Sequence, residues 1–298
     1  MTTRIAIATC APLPDGWSDD RLLAAALRER GAEVRFGVWD DPDFDWSGFE
    51  SVLIRSTWDY TLDRERFLAW AWSLEGRLEN PPALVEWNSD KHYLSDLAAA
   101  GIATVPTAYV KPGEDGPELA GEVVIKPAVS AGARDTGRFS PAAHGQARRL
   151  LERLHSEGRT AMVQPYLPSV EGAGETAIVL IAGSASHALR KNVVLGPDEE
   201  APLADHELRA AEAMFREELV VAATAGDAER DLAAAVLEAL RMRFGAPPLY
   251  ARVDMLVAAG GEPVLLELEA VEPSLYFEQA PGSAERFADS VLRRLGGG

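Results

Sequence analysis

The sequence predicts a mixed α/β and α+β fold, with a parallel α/β region at the N-terminus followed by two α+β lobes. Three observations carry this expectation. Over the first 80 or so residues, short apolar runs alternate with helical periodicity, as parallel strands and their crossover helices do. A Pro-Pro turn in ENPPALVEWNSDKHYL then marks a change of character. Beyond it, apolar runs are joined by turns, and LYARVDMLVAAGGEPVLLELEAV reads as two strands around a Gly-Gly pair.

The elements follow in order. TRIAIATC suits a buried strand, and the turn-rich APLPDGWS leads into a helix from about Asp19 to Arg30, with Leu22, Leu23, Ala26 and Leu27 on one side and Gly31 as its stop. AEVRFGVWD and ESVLIRSTWDY supply two further strands, and DRERFLAWAWSLEG a second helix. No GxGxxG opens the first helix, which argues against a dinucleotide site, yet RSTWDY sits at a strand's carboxyl end, where open α/β sheets collect ligands. After the junction a helix is expected with Asn88 or Ser89 as its cap and Gly101 at its close. GEVVIKPAVSAGARDTGRF is strand, glycine-containing loop and strand, while RTAMVQPYLPSV and ETAIVLIAGSASHALRK are strands broken by turns. Pro197 to Ala225 has the composition of an acidic helix with a loop, and Asp227 to Phe244 is a helix with Leu232, Val236 and Leu240 at four-residue spacing before Gly245.

A chain of 298 residues, 47% hydrophobic, buries a substantial core divided over two or three domains. Its 47 acidic against 29 basic residues leave a net charge of −18, which sets most of the surface against nucleic acid or an anionic membrane. The single cysteine, Cys10, makes no internal disulfide and has no activating neighbour in sequence, so it reads as a packed side chain. With no export signal and no spanning run, a cytoplasmic protein is expected. Nothing in the sequence fixes an oligomeric state; a homodimer is the working expectation.

The C-terminal hairpin holds the chemistry. A two-residue Gly260-Gly261 turn pairs Ala259 with Glu262, and counting back sets Asp254 opposite Glu267 and Arg252 opposite Glu269, all on one face. Like charges facing each other on an apolar ribbon destabilise it. Two readings answer this: divalent cations such as magnesium bind between Asp254, Glu267 and Glu269, or the carboxylates lie on the wet side of a sheet with Arg252 and Glu269 as a cross-strand pair. Cations elsewhere favour the first. Lys91 lies at the domain junction, Lys126 ends a strand just before the glycine-containing loop, and Arg190 and Lys191 end another strand, together suiting an anion as large as a triphosphate. The loop KPAVSAGARDTGRF lacks the GK[ST] of a Walker A motif; its backbone amides either close over phosphates or form a plain connection.

These residues together resemble an ATP-grasp ligase, over most of the chain from about Trp87 to Ser274. The resemblance implies an N-terminal α/β pre-ATP-grasp domain (1–86), a central lobe (87–167) and a C-terminal lobe with the metal site (168–298), clasping ATP and two Mg²⁺ ions between the lobes. It implies that Lys91 and Lys126 hold nucleotide phosphates, that Gln164, Tyr166 and Leu167 of VQPYL meet adenine, and that Glu171 holds the ribose, a role for which Glu175 competes. Lys191, with Arg190, resembles the cation nearest the transferred phosphate, and ARVD with LELEA the metal hairpin of Asp254, Glu267 and Glu269, with Arg252 facing the phosphates. Glu269 stands where the superfamily commonly has Asn, which adds charge at the second metal position. RSTWDY, WNSDKHYL, KPAVSAGARDT and LELEAVEPS are most similar to the group that includes the cyclo-ligase of D-cycloserine biosynthesis, which acts on O-ureido-D-serine.

The implied chemistry is activation of a carboxylate as an acyl phosphate, followed by attack of a nitrogen in the same small, amino-acid-like molecule and release of ADP and phosphate. The alternative is a carboxylate-amine ligase that joins an amino acid to a separate amine. Arg55, Thr57 and Asp59 are candidates to hold the substrate, by an Arg fork on its carboxylate and an Asp on its ammonium, or else form a turn packed around Trp58 and Tyr60. Ser274 is a further candidate at the acyl-phosphate end.

Overall fold

A computed structural model describes residues 2–192, 195–201 and 220–296. The apolar runs at the N-terminus form β1 (Arg4–Thr9), β2 (Glu33–Val38) and β3 (Ser51–Ile54), all parallel in the order β2-β1-β3. Helices α1 (Ser18–Glu29) and α2 (Arg64–Ser73) cover opposite faces. Because side chains alternate along a strand, Ile5 and Ile7 join Leu23 and Leu27 of α1, while Ala6 and Ala8 join Phe67 and Ala71 of α2.

The next segment differs from the sequence expectation. PPALVEWN is itself helical, as α3 (Pro82–Asn88), with a proline in its first turn where a missing N–H costs nothing. The following helix, α4 (Tyr93–Ala99), begins after His92, so neither Asn88 nor Ser89 caps it. Asn88 is occupied elsewhere: its amide donates to the Leu268 carbonyl (2.9 Å) and accepts from the Ala270 N–H (2.6 Å).

Two antiparallel sheets follow. β4 (Ala108–Val110), β5 (Val123–Pro127), β6 (Gly137–Phe139), β7 (Ala161–Pro165) and β10 (Glu199–Glu200) lie in the order β10-β6-β5-β7-β4, packed on α5 (His144–Ser156) through Val123, Ile125, Phe139, Leu150 and Leu154. After the short α6 (Ser169–Ala173), β8 (Glu175–Ile181), β9 (Ser184–Lys191), β11 (Val220–Ala223), β12 (Tyr250–Val257) and β13 (Pro263–Glu269) lie in the order β11-β9-β8-β12-β13. One face of this sheet carries α7 (Asp227–Phe244) through Val236 and Leu240; the other shares a core with β1, α1 and α8 (Ser283–Gly296). Gly245 closes α7 in the left-handed conformation that favours glycine. Most of the segment expected to form an acidic helix, residues 202–219, lies outside the described residues. Among the described residues no helix is long and apolar enough to cross a membrane.

The hairpin reaches the expected register by a different route. Val257 pairs with Pro263 and Ala258 donates to Glu262, so the turn has three residues, with Gly261 at φ +94°. That alone would slip the ladder by one. A bulge beside Asp254 and Met255 restores it, so that Asp254 faces Glu267 and Arg252 faces Glu269.

Three connections fix this hairpin. Its outer strand is covered by Asn88, by the Tyr93 hydroxyl accepting from Leu268 N–H (2.9 Å) and by Val105 and Ala103 pairing with Leu265. Asn80, fully buried with φ +62°, donates to the carbonyls of Tyr250 (2.7 Å) and Ala270 (2.9 Å) and accepts from Leu249 (2.7 Å). Asp19, expected at the start of α1, accepts from the backbone N–H groups of Leu275, Tyr276 and Phe277 at 2.9, 2.7 and 2.8 Å.

Asn80→Ala removes three buried hydrogen bonds and leaves their backbone partners unsatisfied. It is expected to cost about 3 kcal/mol or more, seen in urea unfolding as a lower midpoint with an unchanged slope.

Candidate active site

A cavity of about 330 Å³, the scale of a small-ligand site, opens between the two antiparallel sheets and the N-terminal region. Its floor is the hairpin face predicted from sequence. Strand alternation turns Arg252 and Asp254 on β12, and Glu267 and Glu269 on β13, toward the same space. Each carboxylate there meets a cation of the protein. Arg252 grips Asp254 through Nε (2.8 Å) and Nη2 (2.8 Å), and also bonds Glu269. Lys191, at the end of β9, reaches Asp254 at 2.9 Å and pairs with Glu175 across the strand. Lys91 lies 3.0 Å and Lys126 3.6 Å from the two oxygens of Glu267.

These pairings decide which groups stay ionised. Burial by itself raises a carboxyl group, but at Asp254 the attraction of Arg252, then of Lys191, overrides it and holds the acid far below its usual range. At Glu267 burial is likewise outweighed, by Lys91 and Lys126. Glu269 goes the other way, raised by burial that Arg252 offsets only in part, with Asp254 and Glu267 adding repulsion. Glu175 is pushed up to about 7 by burial, against the pull of Lys191, and Glu272 to about 8 by burial and the neighbouring Glu269. Lys126 is lowered by burial despite Glu267, while the charges of Asp254 and Glu175 lift Lys191 above its usual range in spite of its burial.

Asp254, Glu267 and Glu269 offer the hard oxygens that suit a divalent cation. Among the described residues, however, no three His, Cys, Asp or Glu side chains are grouped as ligands, because the protein's own cations stand between these carboxylates. A metal would bind by taking over oxygens that lysine and arginine now hold. The donor chemistry fits, and Lys91, Lys126, Lys191 and Arg252 would then turn to the phosphates that accompany such a metal.

The opposite end of the cavity is more apolar. Gln164, Tyr166 and Leu167 line it with Val124, Val170, Leu256 and Leu266. Gln164 is oriented by donating to Thr107 Oγ1 (2.8 Å). Arg138 stacks on the Tyr166 ring at 3.6 Å and bonds Glu122 and Glu171, each at 2.7 Å. Glu171 also accepts from the Tyr166 hydroxyl (3.2 Å) but stands at the rim, outside the lining residues, whereas its sequence competitor Glu175 lies inside against Lys191.

Not every expected residue arrives. Arg190 is on the other face of β9 from Lys191, hydrogen-bonded to Thr176 and 3.7 Å from Glu229 of α7, and it does not line the cavity. Arg55, Thr57 and Asp59 also lie outside the lining set. Arg55 is buried against Asp20 (3.1 Å) and donates to the Pro273 carbonyl (2.8 Å), Thr57 is fully buried, and Asp59 accepts from Trp39 Nε1 (2.8 Å). Their neighbours Trp58 and Tyr60 do reach the cavity. Ser274 lines it with a buried hydroxyl that has no hydrogen-bond partner among the described residues, while its carbonyl accepts from Arg252 (2.9 Å). Sequence reasoning missed Arg134, Arg138, Glu272 and Tyr276, all of which line the cavity. Arg138 lies in the strand GRF, while Arg134, Glu272 and Tyr276 lie outside strands and helices, where no periodicity signals them.

A model of the D-cycloserine synthetase DcsG N-terminal domain family matches residues 5–80. Over 286 residues the chain is 35% identical to the cycloserine biosynthesis protein DcsG of Streptomyces lavendulae, covering 92% of each. The crystal structure of D-cycloserine synthetase DcsG superposes with a TM-score of 0.86 at 33% identity, over 98% of this chain and 99% of that one. At 20% and 15% identity, the RimK domain ATP-grasp protein of Sphaerobacter thermophilus (TM-score 0.66, 97% of this chain and 100% of that one) and the D-alanine–D-alanine ligase of Bacillus anthracis solved with ATP (0.65, 99% and 97%) share the fold. The paired carboxylates and cations between two antiparallel sheets, set beside this similarity along nearly the whole length, make the chain an ATP-dependent ligase with the ATP-grasp fold that belongs to the D-cycloserine synthetase family.

Proposed function

We propose that this ligase phosphorylates the carboxylate of O-ureido-D-serine with ATP, releasing ADP, and closes the ring by attack of a nitrogen in the same molecule as phosphate leaves; water then removes the carbamoyl group as carbon dioxide and ammonia, giving D-cycloserine. The observation that carries this reading is the alternating row of buried charges, Lys191, Asp254, Arg252 and Glu269, with Glu267 held by Lys91 and Lys126. Similarity to a cycloserine biosynthesis protein and to a D-cycloserine synthetase supports the product. The division into 1–86, 87–167 and 168–298 belongs to the same proposal, supported by the strands of the first sheet lying within residues 4–54.

The residues divide the work. Magnesium, held by Asp254, Glu267 and Glu269, would neutralise phosphate charge and polarise the transferred phosphoryl group. Lys126 and Lys91, freed from Glu267, would hold phosphate oxygens, and Lys191 with Arg252 would face the charge that builds during transfer. Gln164, Tyr166 and Leu167 would receive the adenine, with Glu171 at the rim for the ribose. A carboxylate oxygen is a poor leaving group and a phosphate a good one, so transfer from ATP makes the carbonyl open to nitrogen. Both reacting atoms belong to one bound molecule, which supplies a high effective concentration. No protein nucleophile is called for: Cys10 is buried and its thiol is pushed up to about 12 by burial and the charge of Asp59.

Incubation with ATP, magnesium and O-ureido-D-serine, followed by ADP release and product mass, tests the reading. Cycloserine should form without any second amine, and a requirement for one would replace cyclisation by intermolecular ligation. Lys126→Ala should weaken binding of a magnesium–ATP analogue at least about tenfold, or about 1.4 kcal/mol, by calorimetry. Glu267→Gln should abolish turnover; because it strips Lys91 and Lys126 of their counter-ion, it should also destabilise the ligand-free protein by about 1–3 kcal/mol, measured by urea unfolding. The raised carboxyl of Glu272 favours its protonated form in the folded state, so its contribution to stability is full below about 4.5 and is lost as pH rises through about 8. Glu272→Gln should flatten that decline in a series of unfolding curves across this window.

A further inference from the structure

Among the described residues, six lysine and arginine side chains line the cavity: Lys91, Lys126, Arg134, Arg138, Lys191 and Arg252. Five of them already hold a carboxylate. Arg134 does not. It is 2% exposed, and among the described residues none of its three guanidinium nitrogens has a hydrogen-bond partner. A buried guanidinium carries five donors and a charge that water can no longer solvate, so a protein that keeps one unpaired is built to receive an anion from outside.

The backbone holds it there. Arg134 sits in the loop from β5 to β6, flanked by Ala133 at φ +51° and Asp135 at φ +54°, conformations that side chains other than glycine seldom adopt. The Asp135 carboxylate is held from another direction by Arg159 at 2.6 Å. Ala131, three residues earlier, packs against the N-terminal aromatic cluster, and the charge of Arg134 is felt at Asp59. The guanidinium therefore belongs to the side of the cavity near Trp58, while the lysines that suit a triphosphate gather around Glu267 on the hairpin.

We propose that Arg134 receives the substrate's carboxylate, its planar fork matching the two oxygens. This rests on the reading of the chain as a carboxylate-activating ligase. One carboxylate oxygen bonds to the γ-phosphorus of ATP as the bond from that phosphorus to the ADP oxygen breaks; Arg134 stays on the other oxygen, where it draws electron density from the carbonyl that the nitrogen then attacks, expelling phosphate as the carbon–oxygen bond to it breaks and the nitrogen gives up its proton to solvent. The shared chemistry of a carboxylate and a phosphate leaves the nucleotide as the competing source of that anion, and the experiment separates them.

Kinetics of Arg134→Ala and Arg134→Lys are compared with wild type, alongside calorimetric binding of AMP-PNP with magnesium. Loss of a buried charge-assisted fork should lower kcat/KM for O-ureido-D-serine about 100-fold or more while the AMP-PNP affinity changes less than about twofold. Millimolar guanidinium should restore part of the Arg134→Ala activity, and Arg134→Lys should recover little, since an ammonium cannot fork. Arg134→Met, which keeps the length of the side chain, replaces Arg134→Ala if that variant does not fold. A fall in AMP-PNP affinity with an unchanged KM for the carboxylate would assign Arg134 to the nucleotide and overturn the proposal, as would normal kinetics. Failure of the proposed substrate shows separately, as wild-type protein that releases no ADP with O-ureido-D-serine. The comparison is then run with whichever amino acid supports ATP consumption, and if none does the carboxylate role falls as well.

Discussion

Asp254 cannot be buried as an ion without a neighbour of opposite sign, and the arrangement of the C-terminal sheet follows from supplying that neighbour. Arg252, two residues away on the same face of β12, and Lys191 at the end of β9 both reach it. Arg252 extends the row to Glu269 and is steadied by the Ser274 carbonyl, while Lys191 extends it to Glu175. Removing Arg252 or Lys191 leaves the buried carboxylates short of counter-charge in a low-dielectric space, which costs far more than the pair contributes. The row is therefore a constraint on register, and the bulge beside Asp254 is what satisfies it after a three-residue turn.

The same row makes the site ready to change partners. Glu267 is held by two lysines from different parts of the chain, Lys91 from the junction after the N-terminal region and Lys126 from β5, so the sheet containing β5 is tied to the hairpin by charge at this point. In a ligase that takes up nucleotide, a tie of this kind can be exchanged for phosphate and metal without leaving either side bare. A hydrophobic contact in its place would stabilise the empty cavity and hinder its filling.

The N-terminal sheet contributes by position. Asp19 fixes the backbone of residues 275–277, Arg55 holds Pro273, and Trp58 donates to the Glu272 carbonyl (3.3 Å), so the segment that completes the cavity wall is shaped by elements more than 200 residues away in sequence. RSTWDY thus has a structural part, with Arg55 in a buried ion pair to Asp20, and a lining part, with Trp58 and Tyr60.

By itself the sequence determined the strands and helices with clear periodicity, the one face shared by Arg252, Asp254, Glu267 and Glu269, and the cations Lys91, Lys126 and Lys191 that meet them; their facing register instead came from a three-residue turn offset by a bulge. These were legible because strand alternation is a local rule and because carboxylates on an apolar run demand an answer. Tertiary structure decided what depends on distant partners. Asn88 looks like a helix cap in sequence, yet the edge of β13 claims its amide; Arg190 looks like a companion of Lys191, yet faces α7; Arg55 looks like a substrate fork, yet Asp20 takes it. Arg134 was one basic residue in a loop until packing removed water from its guanidinium and brought no carboxylate to replace it. Burial and the identity of the opposing charge are set by chain segments that meet only in the folded state, and no spacing along the sequence encodes them.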